Sequence, residues 1–510
     1  MRRNTEIYFY RSDTSRKLCI FGLVICWLAG AGCCAAGAVL INRGQLIVPI
    51  QGISKELVPL GLNVAVTLCN EVLGYIHNVS LRWALQREGR LTFNTNLRLL
   101  TSSRTSVPNK WFCNVFFLCC MIASYCSTSL LLLGDDAASL ASINNGYRPP
   151  GYSTEPLTRV CGYAVVACSV GIMGQAVIAT FCLMSRTLVP SWSSDPLDTA
   201  AACLSLHPGH HRRLGRCMMS VHDSTLSAHP LYPSKVQRPA YYAHAEVRWV
   251  LIASWVTVGL GLVWGGSLLG FIAQHHGSNT SGAYYGTNWS FFPVGIDYTG
   301  LLTHKDRGDE ASGTPSVNIG WEADYTAGTG VVQNGDLTKA FLILFGCQAI
   351  LTTYLHCAEL HVNCSRDESV WRDAAKKSGL KRGVNILTRA MTSWQTIILL
   401  VMKPVIHWIY GLAVSTYFSI GIVMRVPQIF YLTAVTSLLV LLTTYLMFRR
   451  PRGPQPATYG HLQTLVDLVD EWPNEGEKMF WGHKGLERNV AHAGTHSKRL
   501  GEIHMDNQYA

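Results

Sequence analysis

Apolar and polar positions separate along this chain on the scale of a bilayer. Eight apolar runs lie at about residues 18–41, 57–81, 111–134, 160–183, 249–272, 340–360, 394–417 and 426–448. Each is near the roughly 20 residues that a helix needs to cross a hydrocarbon core. A soluble fold with long buried helices needs polar faces on most of them. The runs Leu18–Ile41 and Val426–Phe448 have none. The pattern therefore predicts an all-α polytopic membrane protein of eight transmembrane helices. The seventh run is broken by Lys403-Pro404, where proline removes a backbone donor and kinks a helix. Its span starts either at 394 or, with 394–402 as an interfacial turn, at about 405.

The polar segments complete the plan: a basic N-terminus over 1–17, helices one to four over 18–183, a loop over 184–248, the fifth helix over 249–272, a loop over 273–339, helices six to eight over 340–448, and a tail over 449–510. Loop 184–248 is rich in Ser, Pro, Gly and His and has no period, which reads as a flexible, largely disordered segment. Loop 273–339 is rich in Gly, Thr, Asn and aromatic residues and predicts short extended segments and turns. In the tail Leu462, Leu465, Val466, Val469 and Trp472 recur at helical spacing. They predict one short amphipathic helix docked on the membrane or a partner.

Charge adds an orientation. Only 14% of residues are charged, against about 25% in soluble domains. Segments on one side of the predicted spans carry about 25 Lys/Arg, and those on the other about 8. Cytosolic loops hold the excess, so both termini are expected in the cytosol. Seven spans would put Arg449, Arg450 and Arg452 outside, against this rule. The net charge of +11 flanks the spans and implies no nucleic acid. Arg2, Arg3, Arg11, Arg16 and Lys17 precede a run too long for a typical cleaved signal; it reads as a signal-anchor, although Ala35-Ala36-Gly37-Ala38 leaves cleavage open. Sequons at Asn279 and Asn288 lie in loop 273–339, on the predicted outer side, and predict N-glycosylation there. Asn78 and Asn363 also head sequons, at membrane edges on the predicted inner side. The 17 cysteines sit mostly in or beside the spans and act as small apolar residues.

Candidate chemistry is sparse. Glu71 is the one carboxylate well inside a span, on a stripe with Asn63, Thr67, Asn70, Gly74 and Asn78. An intramembrane carboxylate is costly and faces a partner or a wet cavity; Lys403 or His407 of the seventh span are candidate partners. The stripe reads either as a polar pathway or as interhelical hydrogen bonding. Glu359 and Arg425 sit at span ends, where they can reach the interface. Gly261-xxx-Gly265 and Gly266-xxx-Gly270 in the fifth span predict close helix packing. The histidines of loop 184–248 match no zinc spacing, and His304…Asp309 matches an acyltransferase string only at chance frequency. GxxxxGK[ST], HExxH and GxSxG are absent, so the sequence points to no catalytic residue, metal or cofactor. The arginines Arg82, Arg87, Arg90 and Arg98 of the segment Arg82–Lys110 read either as contacts to anionic lipid or as a topology signal.

Two stretches are distinctive as strings. One is Asn78-Val-Ser-Leu-Arg82-Trp83-Ala-Leu, followed by Glu88-Gly89-Arg90-Leu91-Thr-Phe93-Asn94-Thr-Asn96-Leu97-Arg98-Leu. The other is Tyr459-Gly-His461-Leu-Gln463-Thr-Leu, with Asp470-Glu-Trp472 and Phe480-Trp481-Gly482-His483-Lys484. Both resemble a group of multi-pass membrane proteins of filamentous fungi. That resemblance implies a fungal membrane protein and no particular activity. The sequence leaves a transporter or channel built on the Glu71 stripe, in the plasma membrane or an endomembrane. The alternative is a membrane scaffold or sensor, which the long loops and the tail helix favour.

Overall fold

The computed structural model describes residues 13–43, 46–48, 53–135, 157–184, 189–206, 211–275, 283–293, 313–320, 334–381, 388, 391–417, 421–474, 476–487 and 490–510. Asn279, His207, His210 and the His304…Asp309 string lie outside them. Among the described residues, eight helices are long and apolar enough to cross a membrane: α1 (Asp13–Asn42), α2 (Ile53–Arg87), α3 (Trp111–Leu130), α4 (Gly162–Met184), α6 (Ala245–Gln274), α7 (Asn334–Asp373), α8 (Trp394–Ala413) and α9 (Val426–Phe448). Two short helices, α5 (Pro196–Leu206) and α10 (Leu462–Leu468), lie between and after them. Phe21, Leu28, Val170, Phe181, Val263 and Leu438 stand exposed on the long helices. A continuous apolar surface of this kind is what a bilayer covers. The protein is a multi-pass helical membrane protein.

Among the described residues, ten short strands depart from the all-α expectation. β1 (Leu46–Val48), β2 (Leu132–Asp135), β3 (Leu157–Val160), β4 (Ala283–Tyr284), β5 (Ser316–Gly320), β7 (Val414–Tyr417) and β8 (Gly421–Arg425) form one sheet in the order β1-β3-β2-β7-β8-β5-β4. All pairs are antiparallel except β2–β7. Every strand of this sheet joins helix ends on one side of the bundle. The seventh span is a continuous helix from Trp394 through Pro404 to Ala413, so 394–402 is no interfacial turn. The apolar residues after it form the β7–β8 hairpin, where β-branched Val414, Thr416, Ile422 and Val423 are buried in the sheet.

The opposite side of the bundle carries a folded cap. Loop 184–248 is ordered wherever it is described, contrary to its composition. Leu197, Ala200, Ala202, Cys203, Cys217 and Met218 are buried in one core with Leu462, Leu465, Val466 and Leu468. Composition missed this because the loop's few apolar residues find their partners in the distant tail. The apolar face of α10 is thus spent inside the cap, not on the membrane. β10 (Val490–His496), β9 (Lys478–Glu487) and β6 (Leu380–Lys381) make a second, three-stranded sheet there. The cap-side end of α7 is the hub. Asp367 accepts from Asn94 Nδ2 at 2.8 Å and Thr95 Oγ1 at 3.1 Å. Glu368 accepts from the Thr458 and Tyr459 amides at 2.8 and 2.9 Å. Trp371, fully buried, donates to Pro456 O at 2.8 Å.

The glycine pairs of α6 behave unequally. A Cβ on Gly261 would lie 2.6 Å from Thr433 and one on Gly265 3.1 Å from Phe430, so this pair seats α6 against α9. Gly266 and Gly270 face open space.

An ion pair in the cap makes its stability depend on pH. Asp470 accepts from Thr495 N at 2.6 Å and Lys484 Nζ at 3.0 Å, and its Oδ2 lies 3.3 Å from His492 Nε2. Burial raises the Asp470 carboxyl, but His492, Thr495 and Lys484 outweigh it and hold it below its ordinary 3.8. Asp470 and then Cys217 raise His492 from 6.5 to about 10, against burial. A depressed carboxylate stabilises above pH 3.8 and loses that contribution as pH falls below it. A raised histidine stabilises fully below 6.5 and loses that contribution as pH climbs to about 10. Hydrogen exchange of residues 478–496, corrected for intrinsic rates, should show greatest protection between about pH 4 and 6.5 and a steady decline toward 10. His492→Gln should remove the alkaline decline; a wild-type profile flat from pH 5 to 10 contradicts this assignment.

Candidate functional site

The stripe on α2 faces the bundle. Asn63, Thr67 and Asn70 are buried. Thr128 Oγ1 donates to Asn63 Oδ1 at 3.0 Å, Tyr125 OH to Thr67 Oγ1 at 3.1 Å, and Gln175 Nε2 to Asn70 Oδ1 at 2.9 Å. These contacts tie α2 to α3 and α4. The upper stripe is interhelical hydrogen bonding, one of the two readings the residues allowed.

Glu71 is different. Its carboxylate bonds the ammonium of Lys403, which also bonds Glu359 from α7. Lys403 sits near the middle of α8, with its side chain only 6% exposed, whereas Glu71 and Glu359 keep 40% and 25%. The ammonium is therefore buried between α2, α7 and α8, and the two carboxylates are its more exposed partners. Charge-assisted hydrogen bonds of this kind are about twice as strong as neutral ones. Two carboxylates against one ammonium leave one negative charge, which the nearby Arg98 guanidinium formally balances.

The cluster continues inward from Glu359. Its Oε2 lies 3.3 Å from His356 Nδ1, and the same nitrogen lies 3.5 Å from Arg98 Nη2. One ring nitrogen cannot donate to the carboxylate and accept from the guanidinium together. His356 thus has two competing proton arrangements. Arg98 reaches this depth because the chain after α2 folds back beside Gly74, where a Cβ would lie 2.9 Å from the guanidinium. Its guanidinium also rests on the Phe117 ring, 4.9 Å from the centroid. His407, one turn beyond Lys403, does not touch Glu71: it accepts from Gln348 Nε2 and stacks on Tyr125 at 3.6 Å between centroids. Arg98 Nη1, His356 Nε2 and His407 Nε2 are buried without a protein hydrogen-bond partner among the described residues.

The remaining predicted residues are scattered. Asn78 is half-buried and gives no atom to the cluster. Asn288 lies in the loop on the sheet side, where its Oδ1 accepts from Ser290 N at 2.8 Å. Arg425 is buried and donates to Leu412 O at 2.8 Å, so it does not reach out to an interface. Of the basic segment Arg82–Lys110, Arg82 is buried and donates to Ser193 O at 2.9 Å. Arg90 pairs with Glu88 at 3.0 Å. With Arg98 also buried, two of the four arginines are consumed inside the fold.

Sequence reading did not single out His356, and it gave Glu359 and Arg98 other roles, at a span end and in a basic loop. The apolar run ends near 360, so Glu359 looked terminal, yet α7 continues to Asp373. The available signal was the spacing of Gln348, Thr352, His356 and Glu359, which puts all four on one face of a helix. No family model, curated protein or solved structure matches the chain.

Proposed function

We propose that this protein is a membrane transporter that moves protons through the Glu71–Lys403–Glu359 cluster. The observation that carries the reading is a half-open carboxylate, Glu71, joined through a buried ammonium to a second carboxylate and a histidine. Chains of Glu and His inside a membrane are the usual parts of a proton relay. Glu71 takes up a proton at its exposed side. Lys403 gives one of its own protons to Glu359 as it takes that of Glu71, so it remains an ammonium; Glu359 hands the proton to His356 Nδ1, and His356 releases the proton on Nε2. The nitrogens Arg98 Nη1 and His356 Nε2, buried without a partner among the described residues, support the same reading, since buried polar groups ordinarily find a partner. Proteoliposomes under a potassium diffusion potential should acidify faster than protein-free vesicles. Glu71→Gln should cut that flux about tenfold or more, as expected for loss of a required proton-transfer group.

The reading includes an orientation: the cap lies in the cytosol and the seven-stranded sheet outside. The basic excess of the cap-side segments supports it. Asn288 and Asn279 then carry glycans. Glycosidase treatment should shift the mobility of the wild-type protein, and the Asn279→Gln/Asn288→Gln variant should show no shift. No shift in the wild type puts the sheet in the cytosol. The scaffold alternative loses one of its supports, because the apolar α10 face is buried within the cap.

A further inference from the structure

We propose that a basic cleft where α7 and α9 meet the cap binds the phosphate of an anionic lipid headgroup. The cleft encloses about 560 Å³. The end of α7 contributes Arg372 and the turn after it Lys376, and the segment following α9 contributes Arg449, Arg450 and Arg452. Five cations from two separate segments thus converge on one space. A topology signal alone needs only the three arginines after the span; it gives no reason for Arg372 and Lys376 to face them across a cavity.

The cations of the cleft are incompletely neutralised. Glu368 is the one carboxylate lining it, and both its oxygens are taken. Oε1 holds Arg372 Nε at 2.8 Å, and Oε2 accepts from the Thr458 and Tyr459 amides at 2.8 and 2.9 Å. Lys376 meets Asp373 at 2.7 Å on the exposed rim. Arg449, Arg450 and Arg452 are exposed and form no ion pair among the described residues. Arg372 Nη2 is buried without a partner. Such a set of forked and point cations suits the oxygens of a phosphate group.

Position favours a lipid as the carrier of that phosphate. Tyr445 and Leu446, from the last turn of the spanning helix α9, line the same cleft. Tyr445, Tyr242 and Trp249 are exposed at this end of the bundle, where amphipathic rings mark the headgroup level. Arg450 is also a wall of a second cleft of about 470 Å³, lined by Arg238 and Tyr242. Basic pockets between membrane helices are known binders of phosphorylated headgroups. The site stands apart from the Glu71 cluster and does not depend on the proton reading.

The test uses the full-length protein in detergent with three probes: a short-chain phosphatidylinositol phosphate, a short-chain phosphatidylcholine, and inorganic phosphate. The phosphatidylinositol phosphate should bind and the other two should not compete. Lys376→Gln/Arg450→Gln, which keeps Arg449 and Arg452 beside the span, should weaken binding about tenfold or more, the order that two lost cation contacts imply. Lys376→Arg/Arg450→Lys should retain it, which separates lost charge from lost fold. Equal binding of phosphatidylcholine, or unchanged affinity in the Gln variant, overturns the proposal. Inorganic phosphate binding as tightly as the lipid assigns the cleft to a free anion and overturns it as well.

Discussion

Lys403→Met should be the most damaging single change in the bundle. The ammonium holds Glu71 and Glu359 together, so its loss leaves two carboxylates facing each other with no intervening charge. Removing one partner of a buried ion pair costs about 3–5 kcal/mol, and the partial exposure of Glu71 places this case near the lower end. Thermal unfolding of the purified protein should show it. Glu71→Gln should be far milder, because Lys403 keeps Glu359. The double variant Lys403→Met/Glu359→Gln should recover much of the loss, with a coupling on the order of 1–3 kcal/mol. A Lys403→Met protein within about 1 kcal/mol of wild type is incompatible with the cluster as described.

Trp371→Ala should do comparable damage to the cap. Trp371 is fully buried, its ring donates to Pro456 O at 2.8 Å, and its own carbonyl accepts from Gln455 Nε2 at 2.9 Å. Truncating a buried tryptophan costs about 3–5 kcal/mol. Because the neighbouring Asp367 and Glu368 hold the chain at 94–95 and 458–459, the loss should spread over the cap and spare the helices. Limited proteolysis should then cut within 449–510 while the span fragments persist. Unchanged protection of the tail contradicts the assignment of α7 as the hub.

The membrane spans were legible because twenty apolar residues in a row have few soluble explanations. Glu71 was legible for the converse reason, a charge where the pattern allows none. Lys403 could be named as a candidate partner because it was the other charge well inside a run. What surrounds that pair depends on contacts far apart in the chain, which local periodicity does not encode. Arg98 looks like a loop residue until the loop folds back past Gly74. The cap shows the same limit. Its apolar residues are few in each segment, and only the meeting of α5, the tail and the end of α7 gives them a shared core. The two stretches that are distinctive as strings meet there: Asn94 N donates to Gly460 O at 2.9 Å, and Leu462 N to Thr92 O at 3.0 Å.

The central claim is that the half-open carboxylate of Glu71 passes protons to a buried partner. The most direct measurement is proton flux into proteoliposomes holding equal amounts of folded wild-type, Glu71→Gln or Glu71→Asp protein under one potassium diffusion potential. The account predicts flux from the wild type above protein-free vesicles, a fall of about tenfold or more in Glu71→Gln, and partial recovery in Glu71→Asp. Wild-type flux no greater than that of protein-free vesicles, or Glu71→Gln conducting as well as the wild type, would contradict it.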